Sequence, residues 1–221
     1  MPDTYTGTVE VGGAADVRQL PGLTIAKLAV GPMSNNAYLL RCTASGEGLI
    51  VDAANEFPRL SELARFDGPP VSTIVTTHRH QDHWQALAEL VEDAGAAVFA
   101  GDEDADELPV AVDERLRDGD EITLGELSLQ VIGLRGHTPG SVALLYRDPA
   151  GSPHLFTGDS LFPGGPGKTW APDDFTTLMD DLRARVFDVL PDDTWVYPGH
   201  GSDTTLGVER PHLGEWQARG W

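Results

Sequence analysis

Four apolar or β-branched runs in this chain each end in a histidine or an aspartate. His78 closes the run 71–77, His137 follows 127–134, Asp159 follows Leu155 and Phe156, and His200 follows Val196 and Tyr197. Runs this short, bounded by turn residues, read as buried strands. Gly136, Gly158 and Gly199 stand beside the last three and permit tight turns and close backbone approach. Strand ends that converge on one rim are a common way to build a rigid site from distant segments, and this pattern points to one.

The residues at that rim share a chemistry. The first of them opens the run His78-Arg79-His80-Gln81-Asp82-His83, so five of the seven histidines belong to the set. Neutral imidazole and carboxylate together suit zinc, iron or manganese, and five His with two Asp exceed what one four- or five-coordinate ion can use. A solvated polar turn would account for the first cluster alone, but not for three more ligand-type residues at strand ends. His154 and His212 have no place in the scheme.

Charge narrows the partners. The chain carries 35 acids against 15 bases, a net charge of −20, and its only lysines are Lys27 and Lys168. Such a surface repels phosphate backbones and anionic membranes, so a small-molecule substrate is expected and a nucleic-acid or membrane partner is not. The single Cys42 rules out an internal disulfide and, ending an apolar run, reads as a buried strand residue. No apolar run approaches 18 residues and no basic-then-apolar leader is present, so a cytoplasmic protein is expected. Nothing in the sequence fixes the oligomeric state.

Length suits one large domain or two small ones. Strands are expected over 24–30, 37–42, 48–52, 73–76 and 97–100, then over 121–124, 126–133, 141–146, 154–156 and 195–197. Helices are expected over 60–66 and 84–94, and over 173–190, opened by Pro172 and Asp173 and closed before Pro191. Asp82 is expected near the positive end of the second helix. Residues 101–120, with nine acids and two arginines, read as a solvated loop, and 1–22 as a loosely held N-terminal segment. No linker separates the halves, so 1–221 is read as one domain of α/β (α+β) class, sheets covered by helices.

Four motifs carry a family resemblance: Thr76-Thr77-His78-Arg79-His80-Gln81-Asp82-His83, Gly136-His137-Thr138-Pro139-Gly140-Ser141, Phe156-Thr157-Gly158-Asp159-Ser160-Leu161-Phe162 and Tyr197-Pro198-Gly199-His200-Gly201. Ser34-Asn35-Asn36-Ala37-Tyr38-Leu39 and Leu49-Ile50-Val51-Asp52 extend it. Together they resemble the metallo-β-lactamase superfamily and, within it, the glyoxalase II-like (hydroxyacylglutathione hydrolase-like) enzymes. The resemblance implies a four-layer αββα sandwich with two divalent metal ions at one edge. It assigns His78, His80 and His137 to one ion, Asp82, His83 and His200 to the other, and Asp159 to a bridge, making Asp82 and Asp159 the catalytic carboxylates. It also implies that Asp52 orients a ligating histidine from behind; read from the residues alone, Asp52 is equally an ordinary strand-end turn residue.

Two cations ~3.5–4 Å apart hold a hydroxide formed near pH 7. The function expected is therefore a dinuclear metal-dependent hydrolase, zinc first and iron or manganese also compatible, cutting a small thioester or related acyl compound. A mononuclear iron persulfide dioxygenase using His78, His137 and Asp159, or a lactonase, are the alternatives. There are departures from glyoxalase II. Trp84 and Gln85 replace a Gly pair, and Trp84 reads as a core aromatic. Lys168 is kept in the loop after Asp159, but Trp170 stands there instead of a tyrosine, and Ser202 replaces another. Lys168 and Trp170 are the expected substrate contacts. The family's helical C-terminal extension is not matched by the 21 residues after His200, so a partial thiol site is expected.

Overall fold

The computed structural model describes residues 4–220. In the first half the strands are β1 (Asp16–Gln19), β2 (Leu23–Val30), β3 (Asn35–Cys42), β4 (Gly48–Val51), β5 (Thr73–Thr76), β6 (Ala97–Gly101) and β7 (Glu114–Leu116). They form one sheet in that order, antiparallel from β1 to β4 and parallel from β4 to β7. The second half supplies β8 (Glu121–Leu124), β9 (Leu127–Gly133), β10 (Val142–Arg147), β11 (Pro153–Gly158), the short pair β12 (Leu161–Phe162) and β13 (Gly165–Pro166), then β14 (Trp195–Pro198) and β15 (Thr204–Thr205). Its main sheet runs β15-β14-β11-β10-β9-β8, with β11 and β14 parallel.

Alternating burial builds the layers. Along β2, Leu23 and Ile25 enter the core between the sheets, whereas Ala26, Leu28 and Val30 face the other way. β3 and β4 alternate likewise, and in the second sheet Leu144 and Phe156 point inward while Leu145 and Leu155 point outward. Every residue of β2 and β3 is buried, including the polar Thr24, Lys27, Asn35, Asn36 and Arg41. Helices α1 (Phe57–Leu63) and α2 (Leu87–Ala94) cover the outer face of the first sheet. Helix α3 (Pro172–Leu182), with α4 (Leu206–Glu209) and α5 (Leu213–Arg219), covers that of the second. The result is the four-layer αββα arrangement.

Several boundaries differ from the sequence reading. Helix α1 begins three residues early, because Pro58 is tolerated in a first helical turn. Helix α2 begins at Leu87, because the Gln85 and Ala86 N–H groups bond the Ala54 and Ala53 carbonyls instead of a preceding turn. Asp82 therefore sits in a separate short turn, 81–83, and not at that helix's start. After α3 the chain widens into a turn closed by Asp188 N–H to Arg183 O at 2.9 Å, with Val186 and Phe187 both buried. The acidic stretch 101–120 holds β7, paired parallel to β6, and a fully buried Asp104, so it is not merely a solvated loop.

The N-terminal segment is also held. β1 pairs with β2, and Tyr5 is buried with its hydroxyl 2.6 Å from Asp203 Oδ2; residues 1–3 lie outside the described residues. Cys42 is a buried strand residue. Among the described residues no helix is long and apolar enough to cross a membrane.

Candidate metal centre

Parallel pairing decides where the site forms. β4 and β5 run side by side and deliver Asp52 and His78 to the same edge, as β11 and β14 deliver Asp159 and His200. Two backbone hydrogen bonds join the sheets there, Val142 N–H to Thr77 O at 2.9 Å and Asn36 N–H to Gly199 O at 2.7 Å. Gly199 is required by closeness: a Cβ on it would lie 2.1 Å from Asp159 Oδ1.

All seven ligand-type residues meet at this edge. Donor atoms of His78, His80 and His137 lie within 4.8 Å of one another, as do those of Asp82, His83 and His200. Asp159 stands between the groups. Its Oδ1 is 3.3 Å from His83 Nε2, and its Oδ2 is 3.7 Å from His137 Nε2 and 3.5 Å from His200 Nε2.

Four of the rings are oriented from behind. His137 Nδ1 donates to the Lys168 carbonyl at 2.7 Å and His200 Nδ1 to the Met33 carbonyl at 3.0 Å. His83 Nδ1 donates to Asp52 Oδ2 at 2.8 Å. Thr77 Oγ1 donates to Asp52, leaving its lone pair to accept from His78 Nδ1 at 3.0 Å. Each Nδ1 proton thus goes to an oxygen outside the centre, and each Nε2 turns inward. This is how ligating histidines are held. Among the described residues the buried Nε2 atoms of His78 and His137 have no hydrogen-bond partner. Such orphans are costly in a protein interior unless another group satisfies them, so the donor set fits cations.

The electrostatics divide the centre. Burial, with neighbouring imidazoles adding to it, pushes His78, His80 and His137 toward the neutral, donating form. Burial also opposes charge on His83, but Asp159 and Asp52 outweigh it and hold that imidazolium well above its usual range. At His200 burial is likewise overcome by hydrogen bonds to Asp159 and Asp82, which raise it to about 9. Burial would raise Asp82 and Asp159 too, yet the adjacent histidines keep both below the ordinary carboxylate range.

The other sequence-predicted residues fall around this centre. Trp170 is 65% exposed, its ring centroid 6.4 Å from that of His80, and Lys168 Nζ lies 4.4 Å from the Trp170 centroid. His80, His137 and Trp170 border a cavity of about 370 Å³ with Arg79 and Arg135. Trp84 packs against the helix-covered core and donates Nε1–H to the Arg79 carbonyl at 2.8 Å, away from a pocket wall. Ser202 meets Thr8. His154 is buried beside the Tyr197 hydroxyl and His212 pairs with Glu215, so both stand outside the centre.

Sequence reasoning missed Asn35. Its Nδ2 donates to Asp82 Oδ2 at 2.8 Å and lies 3.4 Å from His200 Nε2. Two adjacent asparagines opening an apolar strand were the available signal, since Asn is depleted in strand interiors. The carbonyls of Met33 and Lys168 carry no side-chain signature and were illegible.

Comparison with known proteins agrees with this geometry. Residues 30–200 match the Metallo-beta-lactamase superfamily. A hydroxyacylglutathione hydrolase of Fuscovulum blasticum is 38% identical over 168 residues, 75% of this chain and 62% of that protein. The chain thus spans under two thirds of the length of that relative. Among solved structures, ETHE1 from Myxococcus xanthus superposes with a TM-score of 0.74 at 30% identity, over 86% of this chain and 82% of that one. TTHA1623 in a di-iron-bound form gives 0.70 at 34% identity, over 83% and 96%. With all seven convergent histidines and aspartates, 78 to 200, inside the matched span of 30–200, this chain belongs to the metallo-beta-lactamase superfamily.

Proposed function

We propose that the chain is a dinuclear metal-dependent hydrolase that cleaves a small thioester or a related acyl compound. The observation that carries the reading is Asp159, a carboxylate set between two three-residue donor groups while the Nε2 atoms of His78 and His137 face it unpartnered. His78, His80 and His137 would hold one ion, Asp82, His83 and His200 the other, and Asp159 both. Zinc suits this nitrogen and oxygen set best, and iron or manganese is compatible with it.

Two divalent cations bound there would polarise an acyl carbonyl and make a water nucleophilic near neutral pH. The chain's own residues supply the rest. Asp52, Thr77 and the Lys168 and Met33 carbonyls fix the ring orientations. Asn35 holds Asp82 in place. Lys168 and Trp170 line the approach beside His80 and offer a cation and an apolar face to the substrate. A thiolate leaves without protonation by a strong acid, which favours a thioester over an amide. The same hydrolase named for the Fuscovulum relative supports an acyl-thiol substrate.

The test is a metal analysis of purified protein beside a screen of thioesters, lactones and a β-lactam. Two equivalents of metal with thioester turnover are expected. One equivalent of iron, with oxygen consumed on a persulfide and no hydrolysis, overturns the reading.

A further inference from the structure

We propose that Asp104 is a positioning residue that sets the geometry of the His78, His80 and His137 group by clamping its two loops together. The inference rests on the reading that this group holds a cation. Its starting point is an anomaly in the acidic stretch 101–120: one of the nine acids there, Asp104, is fully buried.

The side-chain bonds of Asp104 all leave its own segment. Oδ2 accepts from the Arg79 N–H at 3.0 Å and from Thr138 Oγ1, while Oδ1 accepts from the Gly140 N–H at 3.0 Å. Arg79 lies between His78 and His80, and Thr138 follows His137. The local turn around Asp104 is closed by backbone bonds alone, Asp104 N–H to Gly101 O and Glu107 N–H to Asp104 O, and does not use the carboxylate.

This placement matters because the three histidines come from different sheets. His78 and His80 follow β5 in the first, and His137 follows β9 in the second. Their ring centroids nevertheless lie 4.6–4.8 Å apart. One buried carboxylate taking donors from both loops fixes that spacing, and its charge is met by three hydrogen bonds and by the Arg79 guanidinium, Nε 3.7 Å from Oδ1, in a site that would otherwise penalise it. Packing leaves it no slack: a Cβ on Gly140 would lie 2.5 Å from Asp104 N and 2.8 Å from its Cγ. An acceptor-only group is needed, because an amide would turn a donor toward one of three donors. Asp104 touches none of the reacting atoms and acts only through the loops.

The experiment titrates chelator-treated, full-length protein with Zn²⁺ by calorimetry and with Co²⁺ by visible absorption. His80→Ala marks which step belongs to the His78, His80 and His137 group, and His200→Ala marks the other. Asp104→Asn is expected to weaken the first step by about tenfold, the lower end for outer partners of metal ligands, to change its Co²⁺ spectrum, and to leave the second step unmoved. Thr138→Val, which removes one donor without stranding a charge, should shift the same step in the same direction and serves where Asp104→Asn does not fold. Wild-type protein with two steps, neither moved by these variants or both moved equally, overturns the positioning role alone. Wild-type protein that takes up no metal overturns the proposed function together with it.

Discussion

Asp52 Oδ2 lies 2.8 Å from His83 Nδ1, with both side chains buried at the end of β4. Asp52 adopts a left-handed backbone (φ 60°) that few non-glycine residues hold, and its other oxygen accepts the Thr77 N–H at 2.8 Å. One carboxylate thereby aims His83 directly and His78 through Thr77. Asp52→Ala should lower metal affinity by about 10- to 100-fold, the usual loss when an outer carboxylate is removed. Competition with a chromophoric chelator measures this, and an unchanged affinity would return Asp52 to the role of a turn residue.

Metal uptake should release protons. In the metal-free chain, against the effect of burial, Asp159 and Asp52 raise His83, and hydrogen bonds to Asp159 and Asp82 raise His200 to about 9. The Nε2 proton of His200 occupies a position a cation needs, so Zn²⁺ binding at pH 7 should expel about one proton from this residue. The sign follows from the shift. His200 in the metal-free fold contributes stability that is fully present below its unfolded value of about 6.5 and lost as pH rises through about 9. Metal affinity therefore increases over that window while proton release declines. Calorimetry in buffers of different ionisation enthalpy reads the count, and no release at pH 7 would contradict the charge assignment.

Much of this was legible because ligand chemistry and strand periodicity are both written locally. His78, His137, Asp159 and His200 each ended an apolar run, and all four converge. Asp104 was illegible for the opposite reason. Asp104 sits among nine acids, and only tertiary packing separates the buried one from its solvated neighbours. The strand β7 was hidden by its own charge, since Glu114 and Arg115 are exposed on an edge strand and leave only Leu116 buried.

Asp159→Ala should damage the centre more than Asp82→Ala. Asp159 approaches histidines of both groups, whereas the histidines that Asp82 meets, His83 and His200, belong to one. Loss of Asp159 should reduce metal content at both positions, and loss of Asp82 at one. Metal content must be measured beside turnover. Two retained equivalents and near-native turnover in Asp159→Ala would refute its bridging position.

Lys27 is a stability prediction independent of metal. Its Nζ, fully buried within β2, donates to the Gly7 and Gly201 carbonyls and to Asp203 Oδ1 at 2.6 Å, tying the N-terminal segment to the loop after His200. Burial drives both partners toward neutrality, lowering Lys27 and raising Asp203. Lys27→Met strands Asp203 and should cost about 3–5 kcal/mol. Adding Asp203→Leu should recover part of that loss, because desolvating the pair offsets much of its attraction. Urea melts of the two variants decide it; a Lys27→Met loss under about 1 kcal/mol would mean that water reaches the pair.

Lys168 should govern affinity for an anionic substrate and contribute little to the chemical step. Its backbone is fixed at the centre by the bond from His137 Nδ1 to its carbonyl, while its exposed ammonium lies over Trp170 beside His80. Lys168→Ala leaves the carbonyl, and so the His137 ring, where it is. A charged contact made equally in ground and transition state raises KM when lost and leaves kcat nearly unchanged. Loss of that contact should raise KM for a thioester bearing a carboxylate by about tenfold, the size of one charged hydrogen bond. For a neutral thioester of similar size KM should barely move, because Trp170 still supplies its apolar face. Steady-state kinetics on the two substrates make the comparison, and equal shifts on both would place the Lys168 ammonium outside the substrate's reach.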